Sequence, residues 1–189
     1  MRRNLIEDKT FSNNTCKELK IGEYDNCVFK NCNFSLANLA AYSFLECSFE
    51  ECDFSNAKLQ NTSFKSVVFD SCKMLGLQFE GCNPFLLQME FKNCSLNFSS
   101  FYKVTLKQSI FTTCELNQVD FTEANFEGGC FFDCNLTEAI FFNSNLENCD
   151  FSSAKDYVIN PDENKIKGAQ FSIDGLIGLV AKYNIRVNY

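Results

Sequence analysis

The chain has 189 residues and a formal charge of −7, with 17 Lys and Arg against 24 Asp and Glu and no His. That length suits one domain with a sizeable core, and the acidic balance makes nucleic acid and anionic membranes poor direct partners, leaving a basic protein surface as the better match. Without His, Ser-His-Asp and Cys-His catalysis are excluded, and no run approaches the roughly 18 apolar residues of a membrane span.

Residues 1–15 begin MRRNLIEDKTF, which lacks the apolar stretch of a leader. The sequence therefore predicts a cytoplasmic protein whose 12 Cys stay reduced. This segment also lacks the period that follows and is expected to pack over the first coil; residues 16–24 match the period weakly.

From Phe29 a large apolar residue recurs every fifth position: Phe29, Phe34, Leu39, Phe44, Phe49, Phe54, Leu59, Phe64, Phe69, Met74 and Phe79. A second block runs from Leu96 through Phe101, Leu106, Phe111, Leu116, Phe121, Phe126, Phe131, Leu136, Phe141 and Leu146 to Phe151. Two residues before each centre stands a smaller partner, such as Cys27, Cys32, Ala37, Cys47, Cys52, Cys94, Cys114 or Cys134. Residues two apart in extended chain point the same way, so partner and centre face inward and the remaining pair turns the corner. A short side plus a corner, repeated, winds a solenoid. Like residues stack at a spacing of 20: Cys94, Cys114 and Cys134 form one column, Cys32, Cys52 and Cys72 another, and Phe29, Phe49 and Phe69 a third. Four sides per coil follow.

The register breaks once, near residues 81–91, where EGCNPFLLQMEFKN holds Gly81 and Pro84, both turn formers. A two-residue corner insertion is expected there, as a tolerated bulge or a small recognition loop. After Asp156 the repeat lapses into a loop, DYVINPDENK, and Ile166 and Phe171 return in register, so the repeat region spans 16–171. Residues 172–189 close the chain. Ser172 suits an N-cap, and Ile173, Leu176, Ile177 and Val180 make one apolar helical stripe. Asn184 suits the stop, and Ile185–Val187 read as a short strand. A solenoid end needs such a cap. The helix either only caps or also joins two molecules into a homodimer, with Leu179 and Tyr183 beside the core stripe supplying that contact.

The triplets Ala37-Asn38-Leu39, Cys52-Asp53-Phe54, Cys134-Asn135-Leu136 and Cys149-Asp150-Phe151 resemble the signature of the pentapeptide-repeat family. The resemblance implies an all-β solenoid, a right-handed quadrilateral parallel β-helix with a C-terminal capping α-helix and short strand. The terminal helix and strand, and EDKTF ahead of the first repeats, resemble the quinolone-resistance branch. That branch implies binding to DNA gyrase or topoisomerase IV by a DNA mimic, a change in quinolone sensitivity, and dimerisation at the C-terminal end. The long interrupting loops of some such proteins are missing here.

No chemistry is legible. There is no Gly-rich phosphate loop, GxSxG or CxxC, and the sequence predicts no enzyme, no catalytic residue, no cofactor and no metal. Ten Cys (27, 32, 47, 52, 72, 82, 94, 114, 134 and 149) fall inward as small apolar fillers. Cys130 is off the pattern and predicted to be accessible. From Gln108 to Ala154 no Lys or Arg occurs, whereas Glu115, Asp120, Glu123, Glu127, Asp133, Glu138, Glu147 and Asp150 all fall at outward positions. They lie within ~11 Å of axis, about one charge per 1.4 Å, against one per ~1.7 Å in duplex DNA. Outward Tyr102 and Phe142 share a column and Phe132 lies on another side, which hints at a contact surface. Two functions remain open: a rod-like protein-interaction module, or a mimic of DNA acting on a type II topoisomerase.

Overall fold

The structure, a computed structural model, describes residues 4–186. From Asn26 to Asn148 almost every fifth residue has positive φ, between 48° and 71°, the place of Gly81 being the exception. Each marks a corner. At many corners the centre's carbonyl accepts the N–H three residues on, as from Ala37 to Phe34 (3.0 Å), Ser99 to Leu96 (3.1 Å) and Ala124 to Phe121 (3.1 Å). Positive φ at the third position is the type II form of this turn. The residue before the centre completes it: Asn33 accepts from Ser35 N–H at 2.9 Å, Asp53 from Ser55 at 2.8 Å and Asp120 from Thr122 at 2.8 Å. The Asn or Asp of the repeat is thus a ligand of its own backbone.

On the first side of the rod run β2 (Thr10–Ser12), β4 (Val28–Lys30), β6 (Ser48–Glu50), β8 (Val67–Asp70), β9 (Met89–Lys92), β10 (Ile110–Thr112), β11 (Cys130–Phe132), β12 (Asp150–Phe151) and β13 (Gln170–Phe171). They form one nine-stranded sheet in that order, with every pair parallel. The fourth side carries β1 (Asn4–Glu7), β3 (Gly22–Asp25), β5 (Ser43–Leu45) and β7 (Ser63–Lys65), a parallel sheet that stops at the register break. The second and third sides are joined by isolated bridges such as Asn33↔Asp53 and Ser100↔Asp120. The chain is therefore a right-handed quadrilateral β-helix. Nine strand levels at ~4.8 Å make it about 38 Å long.

The residues lining the inside are Phe, Leu and Cys because five-residue sides leave room for one large and one small side chain each. Under the nine-stranded sheet the rings of Phe11, Phe29, Phe49, Phe69, Phe91, Phe111, Phe131, Phe151 and Phe171 form one continuous stack. Centroid spacings are 4.7 Å for Phe29–Phe49 and 5.0 Å for Phe111–Phe131, whose planes differ by 1°. Rings from adjacent sides meet edge-on, as in Phe44–Phe49 at 80°. Both geometries are favoured by aromatic quadrupoles.

Two elements depart from the sequence expectation. Residues 4–15 do not lie over the first coil; they are that coil. Asn4 pairs with Gly22, Phe11 with Phe29 and Thr15 with Asn33, each at a separation of 18. The coil is two residues short, so the five-residue period misses it, and it adds one level to the near seven expected. Both extra residues of the register break enter in the loop between Asn83 and Gln88: Asn83 N–H still reaches the Thr62 carbonyl at the regular separation of 21, and Val67 then pairs with Met89 and Phe69 with Phe91 across 22. At the far end, Ile185 and Arg186 form no strand, and Val187 lies outside the described residues.

Phe111 has ring neighbours above, below and beside it. Phe111→Ala is expected to lower unfolding free energy by about 3–5 kcal/mol. Phe132→Ala, on the outer surface, should change it by no more than about 0.5 kcal/mol. Urea unfolding followed by circular dichroism checks both.

Candidate functional site

The eight acids of the 108–154 segment are all at the surface, none buried, and the winding distributes them two to a side. Asp150 lies in β12, with Asp133 at the corner beyond that side. Glu115 and Glu138 belong to the second side and its corner, Asp120 and Glu123 to the third, and Glu127 and Glu147 to the fourth. They form a belt around the rod, and their roles differ. Asp120 and Asp150 accept turn N–H groups from Thr122 and Ser152, each at 2.8 Å. Glu123 faces Lys103 at 3.5 Å and Glu127 meets Lys107 at 2.7 Å. Glu115 accepts from Asn117 (3.2 Å) and Asn135 (3.0 Å), and Glu138 from Gln118 (2.6 Å). The carboxylates of Asp133 and Glu147 make no ion pair or hydrogen bond among the described residues.

The C-terminal cap is built on a close approach. Ser172 Oγ accepts the Gly175 N–H at 3.0 Å, which starts the turn leading into α1 (Leu176–Val180). A 3₁₀ turn, Ala181–Tyr183, follows and ends at Asn184 with φ 49°. Gly175 and Gly178, three apart on one helical face, lie on Tyr157. A Cβ at Gly178 would collide with the Tyr157 carbonyl oxygen, and Ile159 N–H donates to the Gly178 carbonyl at 3.2 Å. Lys182 and Asp162 add an ion pair. Because the glycine face is the inner one, the expected stripe is inverted. Leu179 packs on the core and Val180 is half-buried, whereas Ile173 (84% exposed), Leu176 and Ile177 face solvent with Tyr183. The signal missed was the Gly175–Gly178 spacing, which marks a helix face that sits against backbone.

Among the described residues no cluster of His, Cys, Asp or Glu is arranged to hold a metal, and no helix is long and apolar enough to cross a membrane. Of the aromatics singled out as outward, Phe132 and Phe142 are exposed and Tyr102 is half-buried.

The family model for the pentapeptide repeat region matches residues 23–84 and 86–155, well over half of the chain. The chain belongs to the pentapeptide-repeat family. Two trypsin-treated variants of QnrB1, a plasmid-mediated fluoroquinolone resistance protein, have similar structures, each with TM-score 0.66 and 18% identity. The alignments cover 98% and 96% of this chain and 100% and 99% of those. HetL, a pentapeptide-repeat protein involved in heterocyst differentiation regulation in the cyanobacterium Nostoc sp. strain PCC 7120, aligns over 92% of this chain and 90% of its own at 12% identity, TM-score 0.48. No curated protein sequence is detectably similar to this chain. At such identities the likeness is one of fold.

In this pentapeptide-repeat protein the ten inward cysteines are all buried, and Cys16 and Cys130 are half-buried. The two columns expected from the sequence are one. The shift of 22 at the break stacks Cys94 on Cys72, so Cys32, Cys52, Cys72, Cys94, Cys114 and Cys134 run continuously. The same shift applied to the sequence would have found this. The thiols donate to carbonyls of the preceding coil, Cys52 to Phe29 at 3.4 Å and Cys114 to Phe91 at 3.5 Å. Burial pushes Cys47 and Cys149 up to about 12. Cys94 and Cys114 also reach about 12, first through the next thiol in the column and then through burial. Burial, then Asp150, raises Cys130 as well, so this thiol is held protonated at neutral pH rather than poised for reaction.

These four thiols, Cys47, Cys94, Cys114 and Cys149, make alkaline stability predictable. Below pH ~8.5 they are neutral in folded and unfolded chains alike, and their contribution is fully present. Above it the unfolded chain ionises first, so stability falls by about 1.4 kcal/mol per pH unit for each thiol until the folded pKa is reached. Urea unfolding at a series of pH values from neutral to about 10 should show this decline, and Cys149→Ala should make it shallower.

Proposed function

We propose that this protein is a rod-like interaction module without enzymatic activity, presenting flat faces to a protein partner and pairing with a second copy through its capped end. The observation that carries the reading is the belt of acids. Over about two coils every side of the rod is negative, and Lys meets only two of the eight acids, Glu123 and Glu127. A partner that embraces the rod in a basic groove would meet negative charge wherever it touched. Single-sign fields of this kind steer association and set partner choice.

A finer reading follows from the same belt. A groove that normally holds duplex DNA has the required sign and shape, which favours a type II topoisomerase, DNA gyrase or topoisomerase IV, with altered quinolone sensitivity as the outcome. The QnrB1-like fold is consistent with it. The test is a gyrase supercoiling assay with and without quinolone at several salt concentrations. The protein is expected to shift supercoiling or its inhibition, more strongly at low salt. Reversing Asp133, Glu138 and Glu147 to Lys should abolish the shift. These positions avoid Asp120 and Asp150, whose carboxylates hold turns. No shift by the unaltered protein at any salt would remove the topoisomerase from the reading.

The pairing rests on Ile173, Leu176 and Ile177, which lie uncovered on the turn and helix at the end of the rod. Sedimentation should give twice the monomer mass. Leu176→Asp with Ile177→Asp should return it to the monomer with little change in melting temperature, since both side chains are exposed. A monomer in the unaltered protein would refute the pairing.

A further inference from the structure

Identical five-residue units make flat sides, and a wide hollow opens on this rod where the units fail. At the register break β7 ends its sheet and the chain turns through Pro84–Leu87. Leu87 N–H donates to the Pro84 carbonyl at 3.4 Å and Asn83 Oδ1 accepts the Phe85 N–H at 3.0 Å. Leu87 packs on the core, which leaves Phe85 and Leu86 outward at 65% and 64% exposure. Beside this turn opens a groove of about 760 Å³, within the range of ligand-binding clefts. Leu45 and Val104 contribute apolar surface to it, and Lys65, Lys103 and Lys107 bring charge. Lys65 Nζ lies 5.4 Å from the centroid of the Phe85 ring, and Lys103 Nζ 4.7 Å from that of Tyr102. Lys103 and Lys107 also meet Glu123 and Glu127. Lys65 has no ion pair among the described residues.

On a chain of net charge −7, three lysines beside an uncovered apolar turn form a site of opposite sign to the acid belt. We propose that this groove binds an extended acidic segment of a partner protein, with one apolar side chain of that segment covering Leu86 and its carboxylates meeting Lys65, Lys103 and Lys107. A phosphate ligand fits less well. No Gly-rich loop gathers backbone N–H groups here, Glu80 stands in the same lining, and the exposed Phe85–Leu86 pair calls for an apolar group. The inference is independent of the topoisomerase reading, because its residues belong neither to the eight acids nor to the cap.

Fluorescence anisotropy of the full-length protein tests it. The probes are a labelled peptide in which Asp and Glu flank a single Phe, the same peptide with Lys in place of the acids, and a labelled oligothymidylate. The acidic peptide is expected to bind, less tightly as salt rises, and to lose about tenfold in affinity with Lys65→Glu and with Leu86→Asp. Lys58→Glu, on the third side, should leave binding unchanged. Both groove substitutions are at the surface, and unchanged thermal melts would confirm the fold. Absence of acidic-peptide binding, equal or tighter binding of the basic peptide or the oligothymidylate, or indifference to both groove substitutions would overturn the proposal.

Discussion

A corner turned every five residues, with one residue held at positive φ, governs the rest of this molecule. The conformation costs a non-glycine residue on the order of 1 kcal/mol, yet Leu36, Glu51, Phe98 and Lys103 all adopt it. What holds them there is the coil above and below. The N–H of Leu36 reaches the Ser55 carbonyl at 2.9 Å, and that of Lys103 reaches Thr122 at 3.0 Å. Each corner is strained alone and satisfied in a stack. Local strain and long-range order are therefore coupled, and the inward geometry follows from it: two side chains per quarter-turn, one large and one small. The Phe stack and the thiol column are two readings of that geometry, one for each size.

This coupling explains what could be read from the sequence. The period from Phe29 to Phe79 and from Leu96 to Phe151 was legible because inward positions select side-chain size, and size is visible in a residue's name. The first coil was not, because it closes in 18 residues rather than 20 and offers Phe11 as its sole ring in the Phe stack. The cap was misread for a different reason. Helical periodicity shows that Ile173, Leu176 and Ile177 share a face; it does not say which face is inner. Gly175 and Gly178 decide that, by admitting Tyr157, its ring at Gly175 and its backbone at Gly178, to a distance no Cβ permits. Position along the chain was sufficient for the acids to be placed outward, but not for their work to be assigned.

That distinction changes the meaning of the acidic segment. An Asp before the centre residue serves the turn first: its carboxylate accepts an N–H, and Asn or Ser does the same at Asn125 and Ser100. Charge at such a position is therefore partly a by-product of folding. Charge at the corner and the position before it carries no such duty, and Glu123, Asp133, Glu138, Glu127 and Glu147 occupy those places. A surface evolved for a basic partner in this architecture should concentrate its acids there, and five of the eight do.

Uniform units have a further consequence for where function can reside. A solenoid whose sides all have the same length has no cleft, because each side chain column is covered by the next coil at the same height. The break in register supplies one hollow, the basic groove beside Phe85 and Leu86. The capped end adds uncovered apolar surface through Ile173, Leu176 and Ile177. Everything between is a flat face on which only outward columns can vary. Specific recognition in such a rod is thus confined to three kinds of place: a charged belt, an interrupted corner and a terminus. This protein carries chemically distinct surfaces at each, negative on the belt, positive at the corner and apolar at the end, with the Lys103–Glu123 and Lys107–Glu127 pairs joining the first two.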